Sequence, residues 1–184
     1  MAKIPSSMLP LGTPAPHFSL LDVVSGQTIT MNGQQQWPIS VIMFICNHCP
    51  YVKHVNHELC RLSNEYKLKG VQFIAINSND IESYPDDSPE NMKEIALLHH
   101  YPFPYLFDET QEVAKAYQAT CTPDFFVYDK NNTLCYRGQL DDSRPGNNIE
   151  VTGDSIRLAL DNMLANKPVS THQKPSLGCN IKWK

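Results

Sequence analysis

The stretch FICNHCPYVKH, residues 44–54, brings together the side chains best suited to chemistry. Cys46 and Cys49 stand three apart, with His48 between them and Pro50 directly after. A Cys-x-x-Cys pair can carry out thiol redox chemistry, hold a metal, or simply pack. A closed zinc site takes four ligands, usually as two close pairs. The sequence contains no second Cys-x-x-Cys, and Cys60, Cys121, Cys135 and Cys179 are scattered. Redox chemistry is therefore the leading reading. A copper or zinc carrier using Cys46, Cys49 and a nearby histidine or Cys121 is the alternative from a different class.

The flanking residues indicate which sulfur attacks. The apolar run at 39–45 reads as a buried strand. After it, Val52, Val55, Leu59, Leu62 and Tyr66 form one stripe of an amphipathic helix. Pro50 suits the first turn of that helix, where its missing N–H costs nothing. Cys49 then sits at the helix N-terminus, where free amides and the helix dipole favour negative charge. Its pKa is expected below the free value of about 8.5, and the thiolate is the nucleophile. Cys46, before the helix, is the expected resolving thiol. His48 is placed to add charge or move a proton near neutral pH. His54 and His57 read as helix-face residues, Cys60 as inert, and Cys135 as strand core.

A second stretch, ATCTPDFFVYD, has Thr122-Pro123 leading into a strand. A cis peptide bond is affordable only before proline, so this is a candidate cis turn. A trans proline at the first residue of a strand fits local chemistry equally well.

The elements that must position these residues follow from the same patterning. Residues 17–31 read as a hairpin turning near Ser25-Gly26. The Cys-x-x-Cys helix is expected to stop near Lys69-Gly70. Residues 71–77 form a second buried strand, and residues 78–88 read as a solvated polar loop. Ser88-Pro89-Glu90 opens a helix to about His99. Residues 101–108 read as an extended connector, and Asp108 caps a short helix to about Tyr117. Residues 124–140 form an antiparallel hairpin around Lys130-Asn131-Asn132. Gly153-Asp154 opens the last helix, and a tail, 168–184, follows. Strand–helix–strand units with a terminal hairpin predict an α/β fold with a mixed sheet and helices on both faces.

The chain has 184 residues, 41% of them hydrophobic and 18% charged, with a net charge of −4. One domain over 1–184 is the expectation. There is no basic block to neutralise phosphates, which argues against nucleic acid as a partner. No apolar run approaches the roughly 20 residues of a membrane span. The N-terminal stretch lacks the apolar core of a signal peptide, so a cytoplasmic location is expected. Thiols are the default in that compartment.

The residues also resemble a known family. The strand, the Cys-x-x-Cys at a helix start and the later Thr-Pro before a hairpin resemble the thioredoxin fold. GTPAPHFSLLDVVSGQTITM is similar to the entry of the redoxin branch, which includes peroxiredoxin-like (AhpC/TSA-type) and thiol reductase-like proteins. FICNHCPYVKH, INSND, YPDDSPENM, CTPDFFVYD, YRGQLDDSRPGN and QKPSLGCNIKW resemble one subgroup of it over nearly the whole chain. The resemblance implies a thioredoxin-like fold with a central mixed sheet and an N-terminal hairpin extension. It implies a cis Thr122-Pro123 facing the active cysteine and pairing by its backbone with an extended substrate. Cys121 would then lie near the site, either a spectator or a third redox or metal-binding cysteine. Cys179 reads as a tail thiol, with a return to the site as a distant resolving cysteine the alternative.

Two departures from the family pattern matter. Thioredoxin-like spacing puts the nucleophile at Cys49 and the usual resolving position at Val52, so the motif is shifted by one helical turn. The peroxiredoxin pattern Pro-x-x-x-Thr/Ser-x-x-Cys is also absent: Cys46 and Ile42 precede Cys49, and Met43 and Ile39 precede Cys46. The family's arginine before FFVYD is replaced by Thr122-Pro123, leaving Arg137 or Arg144 to substitute in space. The sequence is thus read as a thiol–disulfide oxidoreductase with Cys49, Cys46, His48, Thr122 and Pro123 at its site. No cofactor and no metal are assigned. Its substrate would be a protein or small-molecule disulfide, recycled by an unspecified reductant. A thiol peroxidase acting on peroxide is the runner-up.

Overall fold

The computed structural model describes residues 3–33 and 36–184. Residues 1 and 2, which begin the stretch read above for a leader, lie outside it. The elements in chain order are β1 (Lys3–Pro5), β2 (Phe18–Asp22), β3 (Thr28–Met31), β4 (Ile39–Phe44), α1 (Pro50–Lys67), β5 (Val71–Asn77), α2 (Pro89–Leu98), β6 (Tyr105–Phe107), α3 (Glu112–Ala116), β7 (Cys121–Thr122), β8 (Asp124–Asp129), β9 (Leu134–Gly138), α4 (Asp154–Leu164) and β10 (Leu177–Asn180).

Seven strands form a mixed sheet in the order β3-β2-β6-β5-β4-β8-β9. β4, β5 and β6 run parallel, and β8 and β9 add on antiparallel. The hairpin β2–β3 extends the other side through an antiparallel β2–β6 pair. β4 is buried along its whole length, as expected of a strand covered on both faces. Alternation splits it: Val41, Met43 and Ile45 face α1, α2 and α4, whereas Ile42 and Phe44 face Ala114 of α3, Tyr117 and Phe18. The predicted stripe of α1 is the buried face, with Leu59 and Leu62 fully enclosed.

Helix boundaries follow local chemistry. Ser88 caps α2 by accepting a hydrogen bond from the Asn91 amide. Asp108 accepts from the Val113 and Ala114 amides at the start of α3. α1 ends before Gly70, which takes a left-handed φ of 86°.

Three expectations are corrected. Residues 101–108 are not only a connector, since Tyr105–Phe107 is a strand between β5 and β2. It is three residues long, too short for periodicity to reveal, and its pairing partners are distant in sequence. The polar segment 78–88 is not a solvated loop: Ser78, Asn79 and Asp87 are buried. The tail, read only as a closing segment, contains a strand. β10 lies between β1 and β7 in a small antiparallel sheet, which only long-range pairing creates.

Candidate active site

The site is built where β4 gives way to α1. Cys49 is the N-cap of α1, with Pro50 in the first turn. Cys46 lies in the short link after β4. Both are enclosed by apolar neighbours, Cys49 completely. Facing them is Thr122 of β7, joined to Pro123 by a cis peptide bond. The Thr122 Oγ1 lies 3.3 Å from Cys46 Sγ, and its carbonyl oxygen accepts from the Cys49 thiol at 3.1 Å. One residue therefore touches both sulfurs.

The two thiols share out one negative charge. In its thiolate form Cys49 is held at a pKa of about 5. The largest cause is a hydrogen bond from the Cys46 thiol. Burial opposes the shift, and the Cys179 thiol, Thr122 and the Val52 amide add further support. The Cys46 thiol is pushed well up by its bond to Cys49, by burial and by the negative Asp87. The depressed Cys49 pKa expected from the helix N-terminus is thus present, but neighbouring thiols contribute more to it than the helix backbone does.

A polar network supports the Cys46 side. His48 Nδ1 donates to Asp87 Oδ2 at 2.6 Å, and its ring stacks on Tyr84. Asp87 also accepts from the Asn47 backbone amide at 2.7 Å and from Asn79 Nδ2 at 2.7 Å. Burial disfavours its charge, but the His48 ring and these amides outweigh that and keep it ionised. His48 Nε2 has no partner among the described residues. A ring nitrogen of His48, an Asp87 oxygen and Cys46 Sγ all lie within 4.8 Å of one another. Asp87 was missed in the sequence because YPDDSPE has the composition of a solvated loop, with no periodicity to mark one acid as buried.

The remaining cysteines fall into two groups. Cys179 of β10 is buried at the site as a free thiol, in hydrogen-bonding contact with Cys49. Cys121 points its thiol to the Pro123 carbonyl and is governed by burial and by Asp124, with its thiol pushed up. Cys60, half-buried, has its thiol raised to about 11 by burial. Cys135 is half-buried beside an open groove, so it is not the core residue expected of its strand.

Neither arginine is arranged as a peroxide partner for Cys49. Arg137 lies over the Phe126 ring on the opposite sheet face and donates to Ser7. Arg144 lines a small cleft beside Pro123, with its guanidinium held by the Asp141 and Ser143 carbonyls and the Gln139 side chain.

A parallel β4–α1–β5 unit, an antiparallel β8–β9 hairpin, a thiol at a helix start and a facing cis-proline define a thioredoxin-like redoxin. A thiol:disulfide interchange protein of the thioredoxin family from Chlorobium tepidum TLS shares this fold, with a TM-score of 0.64 and 17% identity over 83% of this chain and 97% of that one. The chain belongs to the AhpC/TSA family, whose model matches residues 11–137. It is similar over its full length to an uncharacterized conserved protein from Geobacillus kaustophilus, with 60% identity, a TM-score of 0.97 and 97% of that chain covered. A hypothetical protein from Sinorhizobium meliloti 1021 is 43% identical, with a TM-score of 0.95 and 98% of each chain covered. None of the curated proteins compared matches the chain. Among the described residues, no helix is long and apolar enough to cross a membrane.

Proposed function

We propose that the chain is a thiol–disulfide oxidoreductase in which the Cys49 thiolate attacks a disulfide and Cys46 resolves the product. The observation that carries this is the placement of Cys49 as the N-cap of α1, with Thr122 touching both its sulfur and that of Cys46. The surroundings favour the thiolate at Cys49 and the protonated thiol at Cys46. Attack releases one thiolate and leaves a mixed disulfide on Cys49. Cys46 then attacks the Cys49 sulfur, closes the Cys46–Cys49 disulfide and releases the second thiolate. His48, oriented by Asp87, takes the proton that Cys46 must lose. Thr122 positions the two sulfurs.

The substrate class is a protein or small-molecule disulfide, and a thiol reductant reopens the pair. A cytoplasmic location suits a chain of six cysteines that works from the reduced state. The test is Cys49→Ser, assayed for reduction of glutathione disulfide. Turnover should be abolished, and full retention would overturn the reading.

Two observations favour other readings. AhpC/TSA membership favours peroxide reduction, and a peroxide rate constant no better than that of free cysteine would exclude it. The proximity of Cys46, His48 and Asp87 favours metal binding. However, Asp87 is already taken by His48, Asn47 and Asn79, so an ion would have to displace them. Failure to take up offered Zn(II) or Cu(I) would remove that reading.

A further inference from the structure

β10 lies where an incoming segment would be expected to pair. Its register sets Cys179 opposite Thr122 and Asn180 opposite Cys121, antiparallel, on the two residues that precede the cis-proline. The fit is close. A Cβ at Gly178 would collide with the Thr122 carbonyl, so only glycine allows this strand to approach. Ser176 locks the strand from the other side by donating to the Pro123 carbonyl at 2.6 Å. The Cys179 side chain is buried in the same cluster as Cys46 and Cys49.

We propose that Cys179 is a second resolving thiol, delivered to Cys49 by a strand of the chain itself that occupies the place of substrate. This rests on Cys49 being the attacking sulfur. In the first step the Cys49 thiolate attacks a disulfide RS–SR. The Cys49–SR bond forms, the RS–SR bond breaks, and one RS⁻ leaves to take a proton from water. In the second step Cys179 loses its proton to solvent and its sulfur attacks the Cys49 sulfur. The Cys49–Cys179 bond forms, the bond to SR breaks, and a second RS⁻ leaves. Two protein thiols are oxidised and one disulfide is reduced to two thiols, so the electrons balance.

The order of events is built into the cluster. Burial holds the Cys179 thiol up at about 12, and the negative Cys49 beside it adds to this. The mixed disulfide removes that charge, so the first step makes Cys179 easier to ionise. Cys46 and Cys179 then compete for one sulfur, one from the β4–α1 link and the other from β10.

The experiment uses the full chain with Cys46→Ser, and with C46S/C179S together. Each is reduced, given one equivalent of glutathione disulfide, quenched by thiol trapping and mapped by peptide mass spectrometry. C46S should yield a Cys49–Cys179 cross-link and release both glutathiones. The double variant should stop at a stable glutathione adduct on Cys49. Glutathione remaining on Cys49 in C46S, with no link to Cys179, would overturn the proposal while leaving Cys49 as attacker. No adduct on Cys49 in the double variant would overturn the attacking role itself, and the proposal with it. Cys46→Ala takes the place of C46S if the serine variant does not fold.

Discussion

Replacing Cys46 by alanine removes the strongest support of the Cys49 thiolate. Hydrogen bonds to charged groups contribute about 1.5–3 kcal/mol, and a thiol is a weak donor, so the low end applies. At about 1.4 kcal/mol per pKa unit, Cys49 should rise by about one unit, from its present value of about 5. The assay is the ultraviolet absorbance of the thiolate, followed against pH in the reduced protein, together with the rate of attack on glutathione disulfide. Kinetics sharpen the test because a low pKa cuts both ways. Against an ordinary thiol of pKa 9.0, the thiolate fraction at pH 7 is larger by about 100-fold, but intrinsic nucleophilicity is lower by about 40- to 100-fold. The advantage at neutral pH is therefore small. At about pH 5.5 the fraction favours Cys49 by roughly 2,000-fold and the net gain is about 20- to 60-fold. The wild-type rate should be nearly flat from pH 6 to 8, and in C46A its midpoint should move up. Linkage gives the same sign in stability. Between the folded and unfolded values the unfolded chain binds the extra proton, so the reduced protein is stabilised as pH rises from about 5. A wild-type rate that climbs tenfold per pH unit up to pH 8 would refute the reasoning.

Gly178→Ala should push β10 off the Thr122 carbonyl, costing about 1–3 kcal/mol of stability in urea unfolding. The same variant should speed alkylation of Cys49, which β10 helps to cover, and an unchanged trapping rate would count against that cover. Asp87→Asn keeps the shape but removes the charge that orients His48, and should slow release of the second thiol from the mixed disulfide while leaving the first attack intact. Asp87→Ala strands the Asn47 amide, Asn79 and His48, for a loss of about 3–5 kcal/mol in the same unfolding measurement.

Much of the site was legible because its reactive half is local in sequence. Residues 39–67 carry a strand, a link and a helix, and strand and helix periodicity alone place Cys49 at the junction. Thr122-Pro123 was legible only as a pair of conformational options, and the fold closes it as the cis turn facing both sulfurs. What could not be read shares one physical character. β6, β10 and Asp87 owe their positions to partners far along the chain, and their own composition is that of loops. Tyr105–Phe107 sits among prolines, Leu177–Asn180 in a polar tail, and Asp87 in an acidic run. Nothing in a short window of residues tells a buried acid with three hydrogen bonds from a solvated one.

β10 also bears on the order in which the molecule is assembled. It pairs with β1, which sets Lys3 opposite Cys179 across nearly the whole length of the chain. Such contacts carry the largest loop-closure cost and form late. On the ribosome, β4, α1 and β7 all emerge before β10, so Cys46, Cys49 and the cis-proline turn exist for a time without their cover. The closing strand is what covers the helix end that carries Cys49.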